Sequence, residues 1–124
     1  MGGELVLVVE DNEKNMKLFC DVLQATGYET IEATTGEDAL EVAAARRPAL
    51  VLMDVQLPGI DGVHALARLR SSEDTSSIPV VALTAQAMSG DRERFLGAGF
   101  DGYLSKPVDV TELIRTVQKW CSGD

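Results

Sequence analysis

The sequence predicts a doubly wound α/β domain, with five parallel strands in the order 2-1-3-4-5 and five helices covering both faces. Three observations carry this. Short apolar runs alternate with helical periods five times along the chain, and strict strand–helix alternation implies a parallel sheet. The runs at 5–9, 50–53 and 80–83 are apolar throughout, as strands buried on both faces must be. The second and fifth runs are shorter or more polar and suit the edges. Finally, 124 residues, 45% hydrophobic and 25% charged, fit a single domain that can bury a core without staples. Residues 4–121 are assigned to it.

The elements follow in order. Leu5 to Val9 is the first strand. Met16, Phe19, Cys20 and Leu23 recur at i, i+3, i+4 and i+7, a helical face, and Gly27 stops that helix. Tyr28 to Ala33 is a strand with polar residues interleaved. Thr35-Gly36-Glu37 opens a second helix, which ends before Pro48. Leu50 to Met53 is a strand, and Pro58-Gly59 and Asp61-Gly62 mark the turn after it. A third helix carries Val63, Leu66 and Leu69, and the polar run from Ser71 to Ser77 reads as a loop. Val80 to Leu83 is the fourth strand. A weakly amphipathic helix spans roughly Ser89 to Leu96, and Asp101 to Ser105 is the fifth strand. Val110, Leu113, Ile114, Val117, Trp120 and Cys121 line one face of a last helix.

Charge and composition exclude several function classes. There are 11 Lys and Arg against 20 Asp and Glu, a net charge of −9. Phosphate backbones demand a basic footprint, so neither nucleic acid nor an anionic membrane is an expected partner. No apolar run approaches the roughly 18–20 residues that span a bilayer. Met1-Gly2-Gly3-Glu4 lacks the basic start of a secretory signal, so a cytoplasmic location is expected. Cys20 and Cys121 lie in no CxxC or Cys/His cluster and His64 is the sole histidine. A structural zinc site, which takes about four ligands, is therefore not expected. Both cysteines are read as small core hydrophobes.

In doubly wound sheets, sites form beyond the carboxyl ends of the strands, where the strand order reverses. The first strand delivers Glu10 and Asp11 there, the third Asp54, the fourth Thr84 and the fifth Lys106-Pro107. Three converging carboxylates resist ionising together. A hard divalent cation relieves this, and Mg²⁺ suits a few carboxylates with positions left for water or a phosphoryl group. Asp54 can then act as a nucleophile toward phosphorus. Mg²⁺, Lys106 and the Thr84 hydroxyl would neutralise the phosphoryl oxygens. Alone, each residue has an ordinary explanation: a turn-forming Asp, a β-forming Thr, a solvated Lys. Their joint placement argues otherwise.

Glu10-Asp11-Asn12, the run from Asp54 to Gly62, Leu83-Thr84-Ala85 and Ser105-Lys106-Pro107 together resemble the motif blocks of response-regulator receiver domains, over roughly residues 4 to 121. That family has the flavodoxin-like strand order expected above. The wider wording is similar to stand-alone cell-division regulators and to hybrid-kinase receivers of phosphorelays. The resemblance implies that Asp54 accepts a phosphoryl group from a histidine kinase or histidine phosphotransfer protein. It implies that Asp11, Asp54 and the Gln56 main-chain carbonyl hold Mg²⁺, with Glu10 helping through water, and that Thr84 and Lys106 bind the phosphoryl oxygens. It also implies a cis Lys106-Pro107 bond and a switch aromatic at Tyr103, which otherwise reads as an edge-strand tyrosine. Phosphorylation would draw Thr84 inward, let Tyr103 rotate, and alter the face of helix 4, strand 5 and helix 5 for a downstream protein target. The expected species is a monomeric switch, not an enzyme beyond its own phosphorylation and dephosphorylation.

Gly102 and Phe100 depart from the family's usual residues near that face. Gln56 and Gln86, each two residues past a site residue, are placed to influence attacking water. Three alternatives fit these residues less well. A haloacid-dehalogenase-like phosphatase would carry an Asp where Gln56 stands, and would need room for a cap. A flavodoxin-like electron carrier would have its phosphate repelled by Glu10, Asp11 and Glu13. A degenerate receiver would lack part of the acid, hydroxyl and lysine set.

Overall fold

The computed structural model describes residues 3–57, 59–85 and 91–121, with residues 91 and 92 described by their backbone alone. Five strands, β1 (Leu5–Val9), β2 (Glu29–Ala33), β3 (Leu50–Asp54), β4 (Val80–Thr84) and β5 (Gly102–Ser105), alternate with five helices. The helices are α1 (Glu13–Ala25), α2 (Gly36–Arg46), α3 (Gly62–Ser71), α4 (Asp91–Ala98) and α5 (Val110–Cys121). The strands pair in parallel in the order β2-β1-β3-β4-β5, as the sequence predicts.

Alternation along each strand divides the core in two. Val6, Val8, Leu50, Leu52, Val81 and Leu83 face α1 and α5, where they meet Phe19, Leu23, Leu113 and Val117. Leu7, Val9, Val51, Met53, Val80 and Ala82 face the other way, toward Ala39, Ala43, Leu66, Leu69 and Phe95. All five residues of β3 and of β4 are buried, which explains why those runs are apolar throughout. β2 is mostly half-buried or exposed, as an edge strand can be.

Helix ends obey their local chemistry. Asn12, Thr35 and Asp61 are N-caps, and their side-chain oxygens accept from the backbone N–H groups of Asn15, Asp38 and His64 at 3.0, 3.1 and 2.9 Å. Such a cap is typically worth ~1 kcal/mol. Gly27, at φ 98°, follows the end of α1. At the end of α2 the left-handed position falls to Arg47, φ 44°, just before Pro48.

Two expectations change, at α4 and Val63, and the places of Thr75 and Phe100 are new. α4 is described from Asp91 and runs on to Ala98, past the expected end at Leu96, while residues 86–90 lie outside the described residues. Val63 is exposed rather than core, because the buried face of α3 is Gly62, Ala65, Leu66 and Leu69. In the polar run after α3, Thr75 is buried and its hydroxyl donates to the Leu69 carbonyl at 2.6 Å. Phe100 packs inside the core just before β5, edge-on to Phe95 at 6.1 Å. Cys20 is buried, Cys121 half-buried, and both are free thiols.

Candidate functional site

Register sets the site. Val9 pairs with Met53, Asp54 with Leu83, and Thr84 with Ser105. The ends of β1, β3, β4 and β5 therefore open on one rim. The Lys106 N–H donates to the Thr84 carbonyl at 2.7 Å, and the Lys106-Pro107 peptide is cis.

Glu10, Asp54 and Thr84 are buried at 1%, 4% and 3% exposure, whereas Asp11 is exposed to solvent. Burying charge is costly unless it is paired, and here the pairing is lopsided. One ammonium, Lys106, serves two buried carboxylates. Its Nζ lies 3.0 Å from Asp54 Oδ2 as a hydrogen bond and 2.7 Å from Glu10 Oε1. The second contact is an ion pair, and among the described residues no other donor reaches Glu10 Oε1. Glu10 Oε2 accepts from the Asn12 N–H at 3.1 Å, and Asp54 Oδ1 accepts from the Gln56 N–H at 2.9 Å. This last bond is an Asx turn that ties the chain after β3 to the Asp54 carboxylate.

The electrostatics follow from this crowding. Burial raises the Glu10 pKa above its ordinary value, and the Asp54 carboxylate beside it adds to that, while Lys106 and the Asn12 N–H only partly oppose it. Burial alone would lower the Lys106 pKa, but Glu10 and Asp54 together outweigh it and hold the amine protonated beyond its usual range.

Carboxylate oxygens of Glu10, Asp11 and Asp54 lie within 4.8 Å of one another. This is an all-oxygen donor set with excess negative charge and one exposed member. It fits a hard divalent cation such as Mg²⁺ and not a soft one.

Tyr103 lies on β5, half-buried against the core, its ring 6.4 Å from that of Phe95. Gln56 is exposed. Gln86 lies outside the described residues, as does Pro58. Sequence reasoning missed the Asn12 N–H contact to Glu10, which comes from the main chain and so leaves no mark in the residue types.

Comparison with known proteins gives the family. The model of the response regulator receiver domain family matches residues 6–118. The polar-differentiation response regulator DivK of Brucella anthropi is 46% identical over 115 residues, covering 93% of this chain and 94% of DivK. The receiver domain of a Pseudomonas aeruginosa sensor histidine kinase, solved with a magnesium ion in its active-site cleft, is 38% identical. It superposes with a TM-score of 0.89 over 98% of this chain and 99% of its own. A response regulator structure from Chloroflexus aurantiacus gives a TM-score of 0.91 at 32% identity, over 97% of this chain and 98% of its own. The chain belongs to the response regulator receiver domain family, the signalling switches of two-component systems.

Proposed function

We propose that residues 4–121 act as one phosphoacceptor unit, that Asp54 takes a phosphoryl group from a phosphohistidine, and that the product is read by a protein partner. The observation that carries this is the Asp54 carboxylate itself. It is buried at the end of β3, held by the Gln56 N–H on one oxygen and by Lys106 on the other, with two more carboxylates within ligand distance.

In this reading an Asp54 oxygen attacks phosphorus, the new P–O bond forms as the P–N bond to the donor imidazole breaks, and the imidazole leaves. Lys106, kept cationic by its neighbours, meets the incoming phosphoryl charge. The Thr84 hydroxyl, at the end of β4, supplies a further contact. Asp11, Asp54 and the Gln56 carbonyl would hold Mg²⁺, with Glu10 assisting through water. The bound ion would offset the carboxylate charge and polarise the phosphoryl group. Acyl phosphate adds charge and acceptor oxygens; Thr84 and Tyr103 then bias a two-state equilibrium of the α4-β5-α5 face. The partners are a histidine kinase or phosphotransfer protein upstream and a protein target downstream. The setting is cytoplasmic and the protein monomeric; among the described residues no helix is long and apolar enough to cross a membrane.

Incubation with a small phosphodonor and Mg²⁺ tests this. The wild type is expected to gain the mass of one phosphoryl group, and Asp54→Asn to gain none. An equal gain in both would place the acceptor elsewhere.

A further inference from the structure

The chain between β3 and α3 leaves the acceptor and carries Gln56. Its two ends are tied by hydrogen bonds. The Val55 N–H donates to the Leu83 carbonyl at 3.0 Å, the Gly62 N–H donates to the Val55 carbonyl at 2.9 Å, and Asp61 caps α3. Leu57 drops into the core. On the α2 side, this loop meets the first residue of that helix at Ile60.

Gly36 is buried, and a Cβ built on it would lie 2.6 Å from Ile60 Cγ1 and 2.8 Å from the Ile60 carbonyl oxygen. Side chains do not occupy such distances in close-packed interiors. The contact alone selects glycine here, because the backbone at 36 does not have a positive φ. Gly59 differs, since its φ of 76° is reason enough for glycine. If a methyl group were added at 36, α2 has no room to retreat, because Ala39 and Ala43 are fully buried against the sheet. The loop would have to yield.

We infer that Gly36 is a positioning residue for the cation site: its bare Cα is the wall against which the acceptor loop is seated, and so it sets where the Gln56 main chain stands relative to Asp54. The inference rests on the reading that Asp11, Asp54 and Gln56 hold Mg²⁺. Residues that orient metal ligands without touching the metal commonly govern affinity by about 10–100-fold.

The test is Mg²⁺ titration followed by backbone amide shifts, alongside thermal melting, for Gly36→Ala, Ala43→Gly and the double variant Gly36→Ala/Ile60→Ala. Gly36→Ala is expected to weaken Mg²⁺ binding about tenfold. Ala43→Gly loosens the same helix away from the loop and should lower the melting temperature while leaving affinity within twofold. The double variant removes Cγ1 and should recover part of the lost affinity. Unchanged affinity in Gly36→Ala, or equal weakening in Ala43→Gly, would overturn the inference. If Gly36→Ala does not fold, Ile60→Ala alone decides: it withdraws the loop from the wall and should weaken binding several-fold, and wild-type affinity would count against the wall. A wild type that takes up no Mg²⁺ sinks the reading of the cation site instead. The wall is still read then from the ion-free Gln56 amide shift, moved in Gly36→Ala and unmoved in Ala43→Gly; a Gln56 shift alike in both variants would sink the wall as well.

Discussion

The sheet carries a cluster of acid and base at each of its two ends, and the two are built differently. At the amino ends of the strands, Arg70 meets Asp101. Asp101 Oδ2 accepts from Arg70 Nη2 and from the Val80 N–H, both at 2.8 Å. The guanidinium also donates to the carbonyls of Ile78, Ser76 and Gly99 at 2.6, 3.2 and 3.3 Å. One cation meets one anion, and the spare donors close onto backbone. At the carboxyl ends, Lys106 faces Glu10 and Asp54, with Asp11 beyond, so among the described residues one cation meets three clustered carboxylates. The balanced cluster is a fastening, which ties the end of α3 to β4 and to the approach to β5. The unbalanced one has charge left over for something not part of the chain. Imbalance in a buried cluster, more than the presence of charge, distinguishes a site from a strut.

Arg70→Ala should show the largest loss of stability, about 2 kcal/mol in denaturant unfolding, since it removes the partner of the part-buried Ile78 carbonyl and the cation facing Asp101. The variant should still accept a phosphoryl group at Asp54. Loss of phosphorylation in a folded Arg70→Ala would erase the distinction between the two ends.

Mg²⁺ should act only at the other end. An ion present at about 100 times its dissociation constant stabilises the folded state by ~2.7 kcal/mol. The melting temperature of the wild type and of Arg70→Ala should rise alike, while Asp11→Asn should respond far less. An equal rise in Asp11→Asn would mean that the excess charge is not where the ion binds.

Much of this was legible in the sequence. Strands β1, β3 and β4 announce themselves as uninterrupted apolar runs, and the site residues are the first polar groups after those runs. Glu10, Asp54 and Thr84 therefore stand out from the sequence, and Lys106 stands out by its place just after β5. The Arg70–Asp101 fastening was not legible, because its partners stand 31 positions apart and each reads locally as a solvated charge. Thr75 was hidden in the same way among polar neighbours. The limits of α4 were blurred because Phe95 is its one well-buried anchor among the described side chains, with Leu96 39% exposed. A single anchor gives no period to read. The role of Gly36 depends on how closely a loop from another part of the chain approaches it, which no local pattern encodes.

The smallest effect concerns Cys121, at the end of α5. Burial, with Glu4 nearby, pushes its thiol up to about 11. At pH 8, three units lower, only about one thiol in a thousand is thiolate, so alkylation should be slow and should accelerate as pH approaches 11. The sign for stability follows: the folded-state value is raised above the ordinary 9.0, so this contribution is whole below pH 9 and is lost as pH rises through about 11. Rapid alkylation of the native protein at neutral pH would show the thiol to be less sheltered.

The most direct test of the central claim is a crystal structure grown with Mg²⁺ and beryllofluoride, a mimic of the acyl phosphate. The account predicts beryllium bonded to an Asp54 carboxylate oxygen, its fluorides facing Thr84 and Lys106, and Mg²⁺ held by Asp11, Asp54 and the Gln56 carbonyl. A beryllofluoride group absent from Asp54, or an ion seated away from Asp11, would contradict it.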